Sequence, residues 1–452
     1  MTSSLLQPRF DEIRMDRVTH AETRIGLLHH VGGGNLGDDA TLQSVADGIR
    51  QRWVQAEIVA FSMNPDDTET RHGIKSQPIR RNCWSIGYKS AAADGTFKAG
   101  VKALTRKHRH LFWLLKSATA VIRLPSETFR ELSFLASSRH TMKSFDLFII
   151  SGGGQLTEKD GPWGFPYTIF KWVVLARSAG VRCIFLNVGA GPLTQPLSRF
   201  FVRRALLAAD YVSLRDNESQ ALVQKIGFTG ESRVRPDCAY GLEVAAVRGS
   251  ARETGSQSIV GFAPMDYCGS GPGGHEAEKG QIIYDAFIRK LASFASWLIS
   301  RSHALALFGT DFGVDPKAIQ DLQRALLSYH GISSRQCGVD HSVKSVRDLL
   351  AAISGMDYVV TCRFHGVIFA HLLNKPVLAV AHHPKVTELM AALGLTDYCV
   401  DIRNFDASLL TERFASMVSN ADEIKSRMAK KLTRNRQLLR YQFDELFDLK
   451  GP

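Results

Sequence analysis

The amino-acid sequence predicts an α/β protein made of two Rossmann-like halves, and three patterns lead to this prediction. Short, almost continuously apolar segments alternate with segments of helical period. The alternation runs through the first half of the chain and restarts at 258–265. Several apolar segments also end in glycines, as strands do when they lead into a ligand-binding turn. These patterns favour parallel sheets that are covered by helices on both faces.

The first half begins with a predicted strand at 24–31, which leads into the turn GGGNLGDDA. A helix follows, because Leu42, Val45, Ala46 and Ile49 have the spacing of one helix face. Further strands are predicted at 57–63, 145–154, 181–191 and 211–216, and helices at 169–180, 198–210 and 217–227.

The second half repeats the alternation after a polar, turn-rich junction near 240–257. We therefore expect one domain at 1–245 and another at 246–452. The predicted strands here are 258–265, 303–310, 357–362 and 376–383, and the predicted helices are 279–300, 346–356, 366–375, 385–394 and a long final helix at 419–448.

Residues 85–144 interrupt the first half without strand alternation, which predicts a mostly helical insertion. The chain carries a net charge of +12, and 71–145 holds 15 Lys and Arg against 3 Asp and Glu. A local basic excess indicates a surface contact with nucleic acid, anionic lipid or a polyanionic substrate.

Residues 98–123 are a candidate membrane contact. They combine seven Lys and Arg with Trp113 and Phe112, and one helix face carries Leu104, Leu111, Leu115 and Ile122. This pattern is typical of a helix in an anionic membrane interface. A helix packed on the protein and a contact with another protein are the alternatives.

Composition places the protein in the cytoplasm, at most peripheral to the inner face of the plasma membrane. No apolar run approaches the roughly 20 residues of a membrane span, and the N-terminus has no signal-peptide pattern. The seven cysteines form no CxxC pair, so neither a disulfide framework nor a zinc site is expected. No metal-binding motif is visible, and we expect no metal and no cofactor.

Four glycine-containing turns follow predicted strands and are candidates for ligand contact: Gly32–Asp38, Gly152–Gly154, Gly189–Gly191 and Arg363–Gly366. The first has the GxGxxG spacing of a dinucleotide site, but no acid lies about 20 residues on in the required place. Plain turn formation is the alternative for all four.

Four side chains at these strand ends suit an anionic ligand. Arg363 offers a planar fork that matches phosphate or carboxylate, and His365 is of the type that exchanges protons near neutral pH. Arg215 ends a buried strand and needs an anionic partner, which Asp216 could supply unless it caps the next helix. Lys385 begins a helix, where its charge opposes the helix dipole. Structural roles remain the alternative for each.

The chain resembles the polysaccharide pyruvyl transferase family. The matching elements are GGGNLGDDA (32–40), DLFIISGGG (146–154), NVGAGPL (187–193), VSLRDNES (212–219), RPDCAY (235–240) and the block from 359 to 395 that contains RFHG and HHPK. The resemblance implies a two-domain fold similar to GT-B glycosyltransferases, with the site in the cleft. It also implies phosphoenolpyruvate as donor and a sugar diol as acceptor, which gives a pyruvate ketal.

The resemblance implies a donor site in the second domain's cleft wall and an acceptor site in the first domain. We expect Arg215, Arg363, His365 and Lys385 to bind the donor, and Asn35, Asp38, Gly153 and Gly154 to bind the acceptor. His365 is the candidate acid or phosphate ligand, and Asp38 is the candidate to orient or deprotonate the acceptor. The acceptor sugar is expected on a polysaccharide precursor, in some members linked to a polyprenyl lipid.

Two other functions are consistent with parts of the sequence. A nucleotide-sugar-dependent GT-B glycosyltransferase would bind a nucleotide in the second half, whereas the RFHG and HHPK pair favours a small dianion. A non-catalytic nucleic-acid-binding protein would use the basic segment, but it would leave the strand-end motifs without a role. We therefore expect no nucleic-acid partner.

Overall fold

The computed structural model describes residues 23–81, 129–158, 160–244, 257–267, 275–333, 336–339 and 343–447. Most of the predicted insertion, including 98–123, and the junction at 245–256 lie outside these residues. Within them, no helix is long and apolar enough to cross a membrane.

The first sheet has seven parallel strands in the order β3-β2-β1-β4-β5-β6-β7. Its strands are β1 (Arg24–Leu28), β2 (Glu57–Ser62), β3 (Ser76–Pro78), β4 (Leu147–Ser151), β5 (Arg182–Val188), β6 (Tyr211–Leu214) and β7 (Arg233–Val234). Its helices are α1 (Leu36–Arg50), α2 (Pro65–His72), α3 (129–142), α4 (Phe165–Ser178), α5 (Pro196–Leu207) and α6 (Asn217–Lys225). The crossover from β1 to β2 places α1 on one face, while α4 and α5 lie against each other.

The second sheet has six parallel strands in the order β10-β9-β8-β11-β12-β13. Its strands are β8 (Ile259–Ala263), β9 (Ala304–Leu307), β10 (Cys337–Val339), β11 (Tyr358–Thr361), β12 (Val377–Ala381) and β13 (Cys399–Asp401). Its helices are α7 (His275–Ser300), α8 (Asp315–His330), α9 (Val346–Ser354), α10 (Phe364–Leu372), α11 (Pro384–Ala392), α12 (Ala407–Ser419) and α13 (Ala421–Leu446). The two parallel sheets with alternating helices confirm the predicted fold class.

Two interior strands, β4 and β12, are buried from end to end, as their apolar runs predict, and each has five buried residues in sequence. Sequence analysis did not find the short edge strands β3, β7, β10 and β13, because two to three residues carry no readable period. The predicted final helix at 419–448 corresponds to α13, whereas α12, which is separated from α13 by Asn420, was not predicted.

The C-terminal helix α13 packs on both halves of the molecule. Met428 and Leu439 belong to the core around the second sheet, whereas Phe443 and, just beyond the helix, Phe447 belong to the core beneath the first sheet. Leu36 at the start of α1 joins the second core. Packing of this kind ties the two halves of the molecule together.

Candidate active site

The first site element is the turn that leads into α1. Asn35 caps this helix, since its side-chain oxygen accepts the N–H groups of Gly37 (2.9 Å) and Asp38 (3.4 Å). The same turn pairs with the loop after β9: Leu36 N–H donates to Thr310 O at 2.8 Å, and Phe312 N–H donates to Gly34 O at 2.9 Å. The predicted acceptor residue Asn35 therefore lies where the two domains meet.

Asp38 lies in the first turn of α1, with only 5% of its surface exposed. His30 Nδ1 lies 3.3 Å from its Oδ2 atom. Burial acts to raise the pKa of Asp38, but the hydrogen bond and charge of His30 outweigh it, so the pKa lies below its ordinary value. The carboxylate is therefore ionised at neutral pH.

The glycine turn after β4 lies against Asp38. Gly152 and Gly153 have φ angles of +53° and +62°, which residues other than glycine rarely adopt. A Cβ atom on Gly152 would approach Thr41 Cγ2 to 2.0 Å, and one on Gly153 would lie 3.1 Å from Asp38 Oδ1. Nothing lies within 4 Å of the equivalent point on Gly154. The turn therefore lies against the Asp38 carboxylate at Gly153 and is open at Gly154.

His365 reaches this region from the second domain. It begins α10 and packs so closely on α1 that a Cβ atom on Gly37 would lie 1.9 Å from its Nδ1. Its Nε2 atom is buried without a hydrogen-bond partner, and Asp237 Oδ2 is 3.9 Å away. Burial lowers the pKa of His365 despite the nearby carboxylates of Asp237 and Asp38. An unpaired buried nitrogen is costly, and a ligand atom would satisfy it.

Arg215 follows β6 and crosses from the first domain to the second. Its Nε donates to Asp216 (3.3 Å), its Nη1 donates to Asp237 (3.4 Å), and its guanidinium lies over the Phe364 ring at 4.4 Å. Asp216 also caps α6 through Ser219 N–H (2.7 Å), so it fills both of the roles considered from sequence. Gly189 makes room for the guanidinium, because a Cβ atom there would lie 2.4 Å from Nη2.

Lys385 completes the cationic side of the site. Its Nζ lies 5.8 Å from the Phe364 ring centre, on the ring that Arg215 also covers. Burial, followed by the charge of Arg215, lowers the pKa of Lys385 to about 8. Among the described residues, no carboxylate lies within ion-pair distance of Nζ. Burial of an unpaired ammonium group is unfavourable, so this cation is available to an anionic ligand.

Arg363 differs from the other predicted donor residues. Its Nε (3.0 Å) and Nη2 (2.5 Å) both contact Oδ1 of Asp315, which is fully buried, and Asp311 lies 4.0 Å from Nη2. Asp315 Oδ2 in turn accepts the N–H groups of Thr310 (2.9 Å) and Asp311 (3.0 Å). The guanidinium of Arg363, which was predicted to bind the donor, is therefore paired with the carboxylate of Asp315. Through this pair Arg363 holds the loop that pairs with Asn35.

The structure brings Asn35, Asp38, Gly153, Arg215, His365 and Lys385 together at one interdomain site. Sequence reasoning missed His29, His30, Asp237 and Asp315 at this site. Asp237 lies within RPDCAY, so a motif shared with the family could have pointed to it. His29 and His30 follow a strand and lie in no such motif, so no sequence signal pointed to them. Among the described residues, no group of three or more His, Cys, Asp or Glu side chains is placed to hold a metal ion.

Two parallel sheets whose carboxyl edges meet at one site place the protein in the class of two-domain folds of the GT-B type. Among solved structures, Staphylococcus aureus MnaA with UDP has a TM-score of 0.53 and 11% identity, covering 95% of this chain and 99% of its own. The UDP-GlcNAc 2-epimerase of Neisseria meningitidis bound to UDP-GlcNAc also has a TM-score of 0.53, with 12% identity and coverage of 94% and 99%. These likenesses show the fold.

The family model for polysaccharide pyruvyl transferase matches residues 35–384, and the chain belongs to that family. The matched segment begins at the cap of α1 and ends at the start of α11, so it spans both domains. No curated protein matches the chain. The expected family is therefore confirmed.

Proposed function

We propose that this protein transfers the pyruvyl group of phosphoenolpyruvate to a sugar diol and forms a pyruvate ketal. The observation that carries the proposal is the buried, unpaired Nε2 of His365 beside the cations Arg215 and Lys385. Phosphoenolpyruvate carries a phosphate and a carboxylate in one small molecule. Several cationic donors bind such an anion through charge-assisted hydrogen bonds, which are stronger than the hydrogen bonds that they form with a neutral sugar.

The depressed pKa of Lys385 supports an anionic ligand at this position. A cation that lacks a carboxylate partner is held in a buried place only at a cost in free energy. An incoming phosphate or carboxylate would relieve that cost and stabilise the charged form of Lys385. Arg215 is anchored by Asp216 and Asp237, which fixes its guanidinium beside the same place.

The proposed reaction balances without a redox partner. The C3 methylene of phosphoenolpyruvate gains a proton, and the first sugar hydroxyl bonds to C2. The bond from C2 to the phosphate oxygen then breaks, with its electron pair leaving on phosphate, and the second hydroxyl closes the ketal. Of the two hydroxyl protons, one replaces the proton delivered to C3 and the other leaves with phosphate. His365 would deliver the proton or bind the phosphate.

The acceptor would lie on the side of the first domain. Asn35 and Asp38 stand at the start of α1, and the turn of Gly153 and Gly154 has no side chains to obstruct a sugar ring. We propose a polysaccharide or lipid-linked oligosaccharide precursor as the acceptor class, with no bound cofactor or nucleic acid.

The basic segment 98–123 would dock the enzyme on an anionic membrane surface if the acceptor is polyprenyl-linked. Helix α3, in the described end of the insertion, exposes 73% of Phe129 and 59% of Leu132, and these apolar side chains follow the basic segment in the sequence. Sedimentation with anionic and neutral vesicles at low and high salt tests this: binding to anionic vesicles at low salt is expected. Equal recovery in all supernatants would contradict it.

The test of the proposed function is incubation with labelled phosphoenolpyruvate and a panel of p-nitrophenyl and lipid-linked glycosides. We expect a pyruvate ketal and phosphate in equal amounts. A parallel panel of UDP-sugars should remain unchanged. Transfer of sugar from a UDP-sugar, with phosphoenolpyruvate untouched, would overturn the proposal in favour of a glycosyltransferase.

A further inference from the structure

Activation of the acceptor hydroxyl requires a base, and the carboxylate of Asp38 is poorly placed to be that base. It is 5% exposed, its Oδ2 atom is engaged by His30, and its Oδ1 atom faces the turn at Gly153. The lowered pKa of Asp38 agrees with this geometry, because a weakly basic carboxylate accepts a hydroxyl proton poorly. Asp38 is better suited to orient another group.

His30 is that other group. It follows β1 directly, its Nδ1 lies 3.3 Å from Asp38 Oδ2, and its ring stands edge-on to Phe165 at 4.7 Å. A third of its side chain is exposed, compared with 7% of that of Asp38. When Nδ1 donates its proton to the carboxylate, Nε2 carries the lone pair on the far side of the ring. This is the arrangement in which an imidazole acts as a general base.

The surroundings hold this pair rigidly. His29, the preceding residue, is fully buried and its two ring nitrogens lie 2.7 Å from Ser151 O and 2.8 Å from Asp38 O. These contacts join the end of β1 to the end of β4 and to the first turn of α1. Asp38 therefore keeps its position relative to the backbone that carries His30 and to the glycine turn.

We propose that His30 is the general base that deprotonates the acceptor hydroxyl, with Asp38 as its positioning residue; the assignment rests on the proposed function. The hydroxyl O–H bond breaks, its proton passes to His30 Nε2, and its electron pair forms the bond to C2 while the C2=C3 double bond of phosphoenolpyruvate opens and C3 takes up a proton. Asp38 stabilises the imidazolium that results. The proton then returns to solvent or to the departing phosphate, which leaves His30 ready for the second hydroxyl.

Turnover of His30→Ala with phosphoenolpyruvate and the glycoside panel tests the assignment. We expect kcat to fall by about 10²- to 10⁴-fold, the usual contribution of a general base, with phosphoenolpyruvate affinity unchanged in calorimetry.

Added imidazole should restore part of kcat in His30→Ala, and His30→Ala/Asp38→Asn should be no slower than His30→Ala. His330→Ala, at an exposed position in the second domain, should match the wild type. Full activity of His30→Ala, or a loss that imidazole does not relieve, would overturn the assignment.

A measurement without substrate separates this inference from the proposed function. Diethyl pyrocarbonate acylates unprotonated imidazole, and peptide mass spectrometry gives the rate at each His. At about pH 8, where an ordinary imidazole is unprotonated, we expect His30 to react faster than the more exposed His330 and to slow in Asp38→Asn. A rate at His30 no greater than at His330, or unchanged by Asp38→Asn, would overturn the His30–Asp38 pair. If His30 reacts fast in a way that depends on Asp38, but the protein forms no ketal, the His30–Asp38 pair would stand and only the proposed function would be refuted.

Discussion

Among the individual residues, Lys385 and Arg363 show how similar side chains acquire different roles. Both follow strands of the second sheet, and both were assigned to the donor from their sequence context. Arg363 is neutralised by Asp315, which lies 48 positions earlier in the chain and reaches it because β9 and β11 both flank β8. Lys385 has no such carboxylate among the described residues. The roles are decided by tertiary packing that a local motif does not encode.

Affinity for phosphoenolpyruvate should weaken as pH rises through about 8. Burial lowers the pKa of Lys385 to about 8, so the ammonium is charged below that pH and neutral above it. Binding calorimetry across this range checks the prediction. Lys385→Arg keeps its charge and should flatten the dependence, whereas the exposed control Lys430→Met should follow the wild type. An affinity of the wild type that does not change with pH would contradict the role of Lys385.

Arg363→Ala should lower the free energy of unfolding, and this loss of stability should be its main effect. Asp315 is fully buried, and loss of its cation leaves an unpaired charge, which costs about 3–5 kcal/mol. Urea unfolding measures the change, and Arg363→Ala/Asp315→Ala should recover part of it. A single variant as stable as the wild type, but with weaker binding of phosphoenolpyruvate, would show that Arg363 serves the donor after all.

Among the secondary-structure elements, the start of α1 does most to assemble the site. Its cap Asn35 pairs with the loop after β9, and its first turn carries Asp38 and receives His365. The glycine-rich turn was recognised from sequence as a strand-to-helix connection. Its contact with the other domain was not, because an isolated backbone bridge leaves no periodic signal.

Gly37→Ala should impair activity although alanine favours a helix. The added Cβ would lie 1.9 Å from His365 Nδ1, so either the imidazole or α1 must move. We expect kcat to fall at least tenfold with secondary structure retained by circular dichroism, since displacement of a reacting group by about 1 Å is costly. Gly355→Ala is the control, because its nearest neighbour would be 3.6 Å away. Normal turnover of Gly37→Ala would mean that His365 is not required at this position.

For the whole molecule, the two α/β halves could be predicted from the sequence, because buried parallel strands appear in it as continuous apolar runs. The sequence also located Arg215, Lys385 and the glycine turn after β4, since these follow strand ends, but it gave no sign that Asp315 pairs with Arg363. It was insufficient for His30 and for the packing of α13 on the first domain. Those depend on which elements meet in space, and Gln442 shows why: it joins Asn187, Tyr211 and Ser213 over more than 200 positions.

Gln442→Leu should weaken the joint between α13 and the first sheet. The amide of Gln442 is buried and donates to Asn187 (2.8 Å), Tyr211 (3.0 Å) and Ser213 (3.0 Å), so the substitution leaves buried polar groups unpaired. We expect a loss of about 1–3 kcal/mol in the free energy of unfolding, measured with urea. Gln437→Leu, exposed on the same helix, should change little. Equal stability of both variants would contradict a structural role for this network.

In the proposed reaction, the bond between C2 and the bridging oxygen of phosphoenolpyruvate breaks. Phosphoenolpyruvate labelled with heavy oxygen at that bridge, incubated with the glycoside panel, tests it directly by mass spectrometry of the products. We expect the label to leave in phosphate and the pyruvyl carbon to appear in the ketal. Label retained in free pyruvate, with a phosphorylated sugar as the other product, would contradict it and show phosphoryl transfer instead.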